Sequence, residues 1–262
     1  MSNKVQVLNL EGQELESIDL PSVFNVPVRD DVISRVYVAL ESHRKQPQGR
    51  DTMAGERTSA ESGHPPTGRG ISRIPRVKGE RYSKSGMAGG VASIVHGRLP
   101  HPPRSEKVIR KYVNKKERCL ALASAISSTA NPELVAKRGH RFTARLPIVV
   151  SDEILNVSKV RELKKFLTLI GADRDLERVS CRSKKTSSRA SKKTRVGVGP
   201  LIVVSNNTKL NDVTKSLEGV SLVKSSNLSV LDLAPGSTPG RLTIWTKDAL
   251  SSLPKNVQNI GV

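Results

Sequence analysis

Residues 46–104 read QPQGRDTMAGERTSAESGHPPTGRGISRIPRVKGERYSKSGMAGGVASIVHGRLPHPPR, and nearly the whole stretch lacks both helical and strand periodicity. Gly55, Pro65, Pro66, Gly68, Gly70, Pro75, Gly79 and Gly89 interrupt it every few residues. Proline stops helices and glycine carries the largest ordering entropy, so the stretch has too little apolar surface to fold by itself. A segment this long without secondary structure inside a compact chain is either a linker or a functional loop. Its charges favour the loop. Arg50, Arg57, Arg69, Arg73, Arg76, Lys78, Arg81, Lys84, Arg98 and Arg104 are spread along it against Asp51, Glu56, Glu61 and Glu80. A basic cable of this kind is expected to order against a polyanion, whose phosphates supply the counter-charge.

The flanks supply a body to hold the cable. On the N-terminal side, VQVLNL (5–10) and ESIDL (16–20) alternate apolar and polar residues around Glu11 and Gly12, which predicts a β-hairpin. Val32, Ile33, Val36, Tyr37 and Leu40 then recur at helical spacing behind the acidic pair Asp30 and Asp31. On the C-terminal side, Ser105 and Glu106 read as the start of one helix over 105–130. Its first half is basic, with Lys107, Arg110, Lys111, Lys115, Lys116 and Arg118, and its second half is apolar and small. The bland alternative for that basic half is a solvated helix surface. PELVAKRG predicts a short second helix stopped by Gly139.

Beyond residue 146 the pattern is α/β. LPIVV (146–150), LIVV (201–204), VSLVK (220–224) and RLTIW (241–245) read as strands, the first two as continuous apolar runs of buried-strand length. Helices are expected at 159–169, ended by Gly171, over ADRDLERVS, over NDVTKSLEGV, over NLSVLDLAP, and after Thr246. Strands alternating with helices imply an α/β fold, a three-layer α/β/α body with a mainly parallel sheet. The organisation expected is one α/β domain over residues 1–262, interrupted by the extended loop 46–104.

The chain has 262 residues, a formal net charge of +20 and a pI near 10.3. Charge of that size points to nucleic acid or an anionic membrane, and an aromatic content of 3% is low for a membrane binder. No apolar run is long enough to span a bilayer, and the first residues lack the pattern of a secretory signal. Cys119 and Cys181 have no C-x-x-C partner, which fits a reducing, cytoplasmic setting.

A second basic run, CRSKKTSSRASKKTR, carries Arg182, Lys184, Lys185, Arg189, Lys192, Lys193 and Arg195 without an acid, and its hydroxyls suit phosphate oxygens. A flexible linker or a localisation signal is the rival explanation. Gly86–Gly89 has the G-x-x-G form of an RNA clamp but lacks the flanking helices, and the V-G-V-G at 196–199 precedes a strand instead of following one. His43, His64, His96, His101 and His140 have no metal-ligand spacing and are expected in loops or on the surface. Asp152 and Glu153 follow a buried strand at the sheet edge where α/β proteins place their sites. They are the one foothold for enzyme chemistry, and the alternative function is an RNA-modifying enzyme with a nucleotide cofactor beside Asp152.

Several motifs carry a resemblance: AGERTSAES (54–62), TGRG (67–70), RIPRVKG (73–79), GRLPHPPR (97–104), NKKER (114–118), GPLIVV (199–204) and PGRLTIWTKDAL (239–250). Through them the chain resembles the large-subunit ribosomal protein L-four family in its archaeal and eukaryotic branch. That resemblance implies a structural, early-assembling protein and no enzyme or cofactor. Its partners would be large-subunit ribosomal RNA and neighbouring ribosomal proteins, with no membrane and no small-molecule substrate. It also implies a loop whose tip, Gly63, His64, Pro65, Pro66, Thr67, Gly68, Arg69 and Gly70, lies at the nascent-peptide exit tunnel. At 63–66 the chain departs from the Trp-Gly pair common before T-G-R, and its second basic run is richer in serine than is usual there.

Overall fold

The computed structural model describes residues 4–63, 67–183, 197–206 and 209–254. By internal contacts the chain forms two units, Met1–Ser42 with Lys111–Val262, and His43–Arg110. The first is the body. It opens with the expected hairpin, β1 (Lys4–Leu8) against β2 (Glu14–Asp19), turned at Gly12, whose φ of 78° suits glycine. Helix α1 (Asp30–Ser42) follows with both acids in its first turn.

The second unit holds two short antiparallel strands, β3 (Ala60–Glu61) and β4 (Arg76–Val77). The chain then returns to the body through α2 (Lys115–Ser128), α3 (Pro132–Lys137), β5 (Ile148–Val150), α4 (Val160–Leu169), α5 (Asp173–Ser183) and β6 (Leu201–Val204). It finishes with α6 (Leu210–Lys215), β7 (Ser221–Lys224), α7 (Val230–Leu233), β8 (Thr243–Thr246) and α8 (Lys247–Ser251). Local rules explain the ends. Asn131 accepts a hydrogen bond from Glu133 N ahead of Pro132 at the first position of α3, and Thr246 accepts one from Ala249 N to cap α8.

The body's sheet runs β2-β1-β5-β8-β6-β7, and every neighbouring pair is parallel except β1 with β2. Strand side chains alternate between faces, and the body uses both. Val149, Leu201, Val203 and Trp245 point into a core shared with α1, α2, α7 and α8. Ile148, Val150, Ile202, Val204 and Ile244 point into a second core shared with α3, α4 and α6. Two cores on one sheet make the three-layer α/β/α architecture the sequence predicts. On the first face Ala121, Ala123, Ser124 and Ala125 let α2 approach closely, and Ser127 Oγ donates to Phe24 O (3.0 Å) and Val26 O (2.6 Å).

One expectation is corrected and another is narrowed. The basic helix does not begin at Ser105: α2 starts at Lys115 after Asn114, and residues 107–114 are not helical. Val108, Ile109, Tyr112 and Val113 are β-branched or aromatic and resist helix formation, and Lys111 N donates instead to Ser42 Oγ (2.9 Å) at the end of α1. His140 lies in a loop, one of the two places expected for the histidines, but it is buried there. It is 6% exposed, with Nδ1 3.0 Å from Asp175 Oδ2.

Candidate nucleic-acid interface

The unit His43–Arg110 is tied together by its own polar groups. β3 pairs Ala60 with Val77 and Glu61 with Arg76, so the AGERTSAES and RIPRVKG motifs lie side by side. Ser62 Oγ donates to Arg73 O (2.8 Å) and Ser59 Oγ to Lys78 O (3.0 Å) across the same two segments. Gly55 makes the approach to the third motif: a Cβ there would lie 2.6 Å from Arg98 N and Gly97 C, a distance no side chain tolerates. Glu56 and Arg98 meet across that crossing at 3.9 Å.

The expected RNA-binding cations divide by what they already touch. Arg57 forms a two-pronged pair with Asp51, Lys78 pairs with Glu61, and Arg98 with Glu56, so three of the unit's acids are taken up inside it. Arg50 reaches Thr52 O (3.4 Å), Arg73 donates to Thr67 Oγ1, and Arg76 donates to Ser72 Oγ (3.3 Å) and Gly86 O (3.2 Å). Arg69, Arg81, Lys84, Arg104, Lys107 and Arg110 are exposed. At the tip Gly63 and residues 67–70 are exposed, Gly68 and Gly70 have φ of 92° and 67°, and His64, Pro65 and Pro66 lie outside the described residues.

In the body, Lys111, Lys115, Lys116 and Arg118 are exposed at and just before the first turn of α2, where Glu117 accepts from Arg35 Nη1 (2.9 Å). Basic residues at a helix N-terminus oppose the helix dipole, an arrangement that an external anion would relieve. From the second basic run, Lys184, Lys185, Arg189, Lys192, Lys193 and Arg195 lie outside the described residues, and Arg182 is the penultimate residue of α5.

Three further cations are structural, which sequence patterning does not reveal. Arg241, 4% exposed, donates to Gly199 O (3.0 Å), Asp232 O (2.8 Å) and Ser221 Oγ (2.8 Å), and burial pushes its guanidinium down to about 10. Arg138 donates to Pro235 O (2.5 Å) and Thr238 Oγ1 (2.8 Å), and burial likewise pushes it down to about 10. Arg178 holds Asp175 through Nε (2.9 Å) and Nη2 (3.2 Å). Burial by itself would raise the Asp175 carboxyl, but hydrogen bonds from His140 and Arg178 hold it below the ordinary carboxylate range. His140 is pushed below its ordinary value by burial, with Asp175 opposing.

The foothold for enzyme chemistry has a structural use. Asp152 Oδ1 accepts from Asp248 N (3.2 Å) in the first turn of α8, and burial raises its carboxyl. Among the described residues no group of three or more His, Cys, Asp or Glu could hold a metal ion, and no helix is long and apolar enough to cross a membrane.

The sequence profile of the ribosomal protein L4/L1 family matches residues 18–256. The chain belongs to that family. Similar proteins include the large ribosomal subunit protein uL4 of Methanopyrus kandleri, 41% identical over 96% of this chain and 98% of that protein. The uL4 of Sulfolobus acidocaldarius is 42% identical over 96% of this chain and 94% of its own length. For the uL4 of Aeropyrum pernix the values are 41%, 97% and 93%. The L4/L1 family consists of structural ribosomal proteins and not enzymes, in keeping with the capping use of Asp152 here.

Proposed function

We propose that this L4/L1-family chain is a structural constituent of the large ribosomal subunit, binding ribosomal RNA beside neighbouring ribosomal proteins in the cytoplasm. The observation that carries this beyond family membership is the unit His43–Arg110. It has 14 Lys and Arg against 5 Asp and Glu, and among its described residues only Gly89 is buried. A unit with that charge and no apolar interior gains its order from an anionic partner. The body supplies the exposed cations at the start of α2. The second basic run adds a third phosphate-facing segment, and the tip at 63–70 lies against the wall of the nascent-peptide exit tunnel.

Co-sedimentation tests the assignment, and Arg69→Glu tests the tip. The protein is expected to travel with large subunits at high salt. The variant should leave the thermal melt of the free protein unchanged and alter chemical reactivity of tunnel-wall RNA in assembled subunits. Unchanged reactivity in well-assembled mutant particles would put the tip elsewhere.

A further inference from the structure

Within the unit His43–Arg110 there is a cavity of about 560 Å³, inside the range of about 300–1,000 Å³ typical of small-ligand sites. Its lining is mixed. Tyr82, Met87 and Val95 contribute apolar surface, and Arg57, Lys84 and His96 contribute polar heads. The apolar members are not packed away: Tyr82 is 56% exposed, Met87 55% and Val95 84%. An open aromatic and aliphatic mouth is an odd feature in a unit whose charge should keep it solvated, unless something apolar and flat enters it. Gly89 allows the concavity, since a Cβ there would lie 2.8 Å from Ala60 Cβ. The backbone is also held in an uncommon state at the rim. His96 has φ of 59°, and Arg81, directly before Tyr82, has φ of 60°. Such left-handed residues outside glycine cost energy and cluster where a ligand is held.

Resting on the ribosomal RNA reading above, we propose that this cavity takes one unstacked nucleobase from a single-stranded stretch of RNA, stacked on Tyr82. Lys84 and Arg81 then face the flanking phosphates. Every nucleobase has an apolar face that stacks on an aromatic ring and a polar edge for hydrogen bonds, which matches a cavity with both kinds of wall. A purely phosphate-binding surface would have no use for Tyr82, Met87 and Val95. A protein side chain could fill the apolar part, but the surrounding cations favour an occupant that brings phosphates with it.

The test uses the full chain with Tyr82→Ala and Tyr82→Phe, and two probes, a short single-stranded RNA carrying 2-aminopurine and a duplex RNA of equal length. Tyr82 is more than half exposed, so both variants should melt with the wild type. The wild type and Tyr82→Phe should bind the single strand equally and quench its fluorescence. Tyr82→Ala should lose about tenfold in affinity, the order expected for one base–aromatic stack, together with the quenching. The duplex should bind all three alike, because phosphate contacts are untouched. Equal binding and equal quenching by Tyr82→Ala would overturn the proposal and leave the cavity to a protein partner. Equal weakening on both probes would overturn it as well. Failure of the wild type to bind either probe at low salt would instead strike the RNA reading on which it rests.

Discussion

The body and the unit His43–Arg110 solve the same problem in opposite ways. The body buries Val, Ile and Leu on both faces of one sheet and leaves most of its charge outside. The second unit keeps Met53, Ile71, Ile74, Tyr82, Met87, Val95 and Leu99 exposed, and its described residues are held by a two-residue strand pair, side-chain to backbone hydrogen bonds and ion pairs such as Arg57 with Asp51. Exposed ion pairs contribute little in water, about 0–1 kcal/mol each. The difference is that one region has a buried apolar core and the other, among its described residues, has almost none.

The sharpest way to break that contrast is to attack the body's core. Trp245 is fully buried and meets Phe24 edge-on with ring centroids 5.7 Å apart. Trp245→Ala should cost about 3–5 kcal/mol, read as a large fall in the denaturant midpoint. A comparable truncation in the second unit, such as Met87→Ala, should leave that midpoint where it was.

Replacing residues 48–102 by a short flexible linker should have the converse effect. The body should still unfold cooperatively near its original midpoint, because the removed segment adds nothing to either core. Affinity for large-subunit RNA should fall by about 100-fold, equivalent to ~2.8 kcal/mol, with a shallower dependence on salt as phosphate contacts are lost. A body that unfolds on this replacement would mean that the two regions share a core after all.

The smallest expected effect is a pH dependence confined to the body. His140 and Asp175 both titrate below their ordinary values when folded. A depressed value means that the stability is present above the unfolded value and is lost as pH falls through the folded one. Stability should therefore decline on acidification, first below the unfolded histidine range near 6.5 and then below the carboxylate range near 4. His140→Gln should remove the first part of that decline. A wild-type stability flat from pH 7 to pH 5 would show that His140 carries its proton equally well folded and unfolded.

Most of the architecture is legible in the order of residues along the chain. Residues 201–204 are apolar on both faces and read as a buried strand, which they form. The acids ahead of a 3.6-residue stripe mark the start of α1 at Asp30, although the helix stops at Ser42, short of the 44–46 region where the loop residues begin. The basic stretches are visible in the sequence as residue types, because net charge is a sum over residues.

Tertiary structure alone decided which cations remain available. Arg138, Arg178 and Arg241 look like any other arginine in the chain, yet they donate to the carbonyls of Pro235, Val198 and Gly199, which lie 97, 20 and 42 residues away. It also supplied Lys111 N with a partner outside any helix, Ser42 Oγ, where low local helix propensity had left residues 107–114 free to stay extended. The cavity beside Tyr82 is of the same kind, because its walls come from segments up to about forty residues apart. Composition and periodicity are local sums, which is why they specified layers, helices and charge. Hydrogen bonds and cavities are made by distant pairs, and those exist only once the chain has folded.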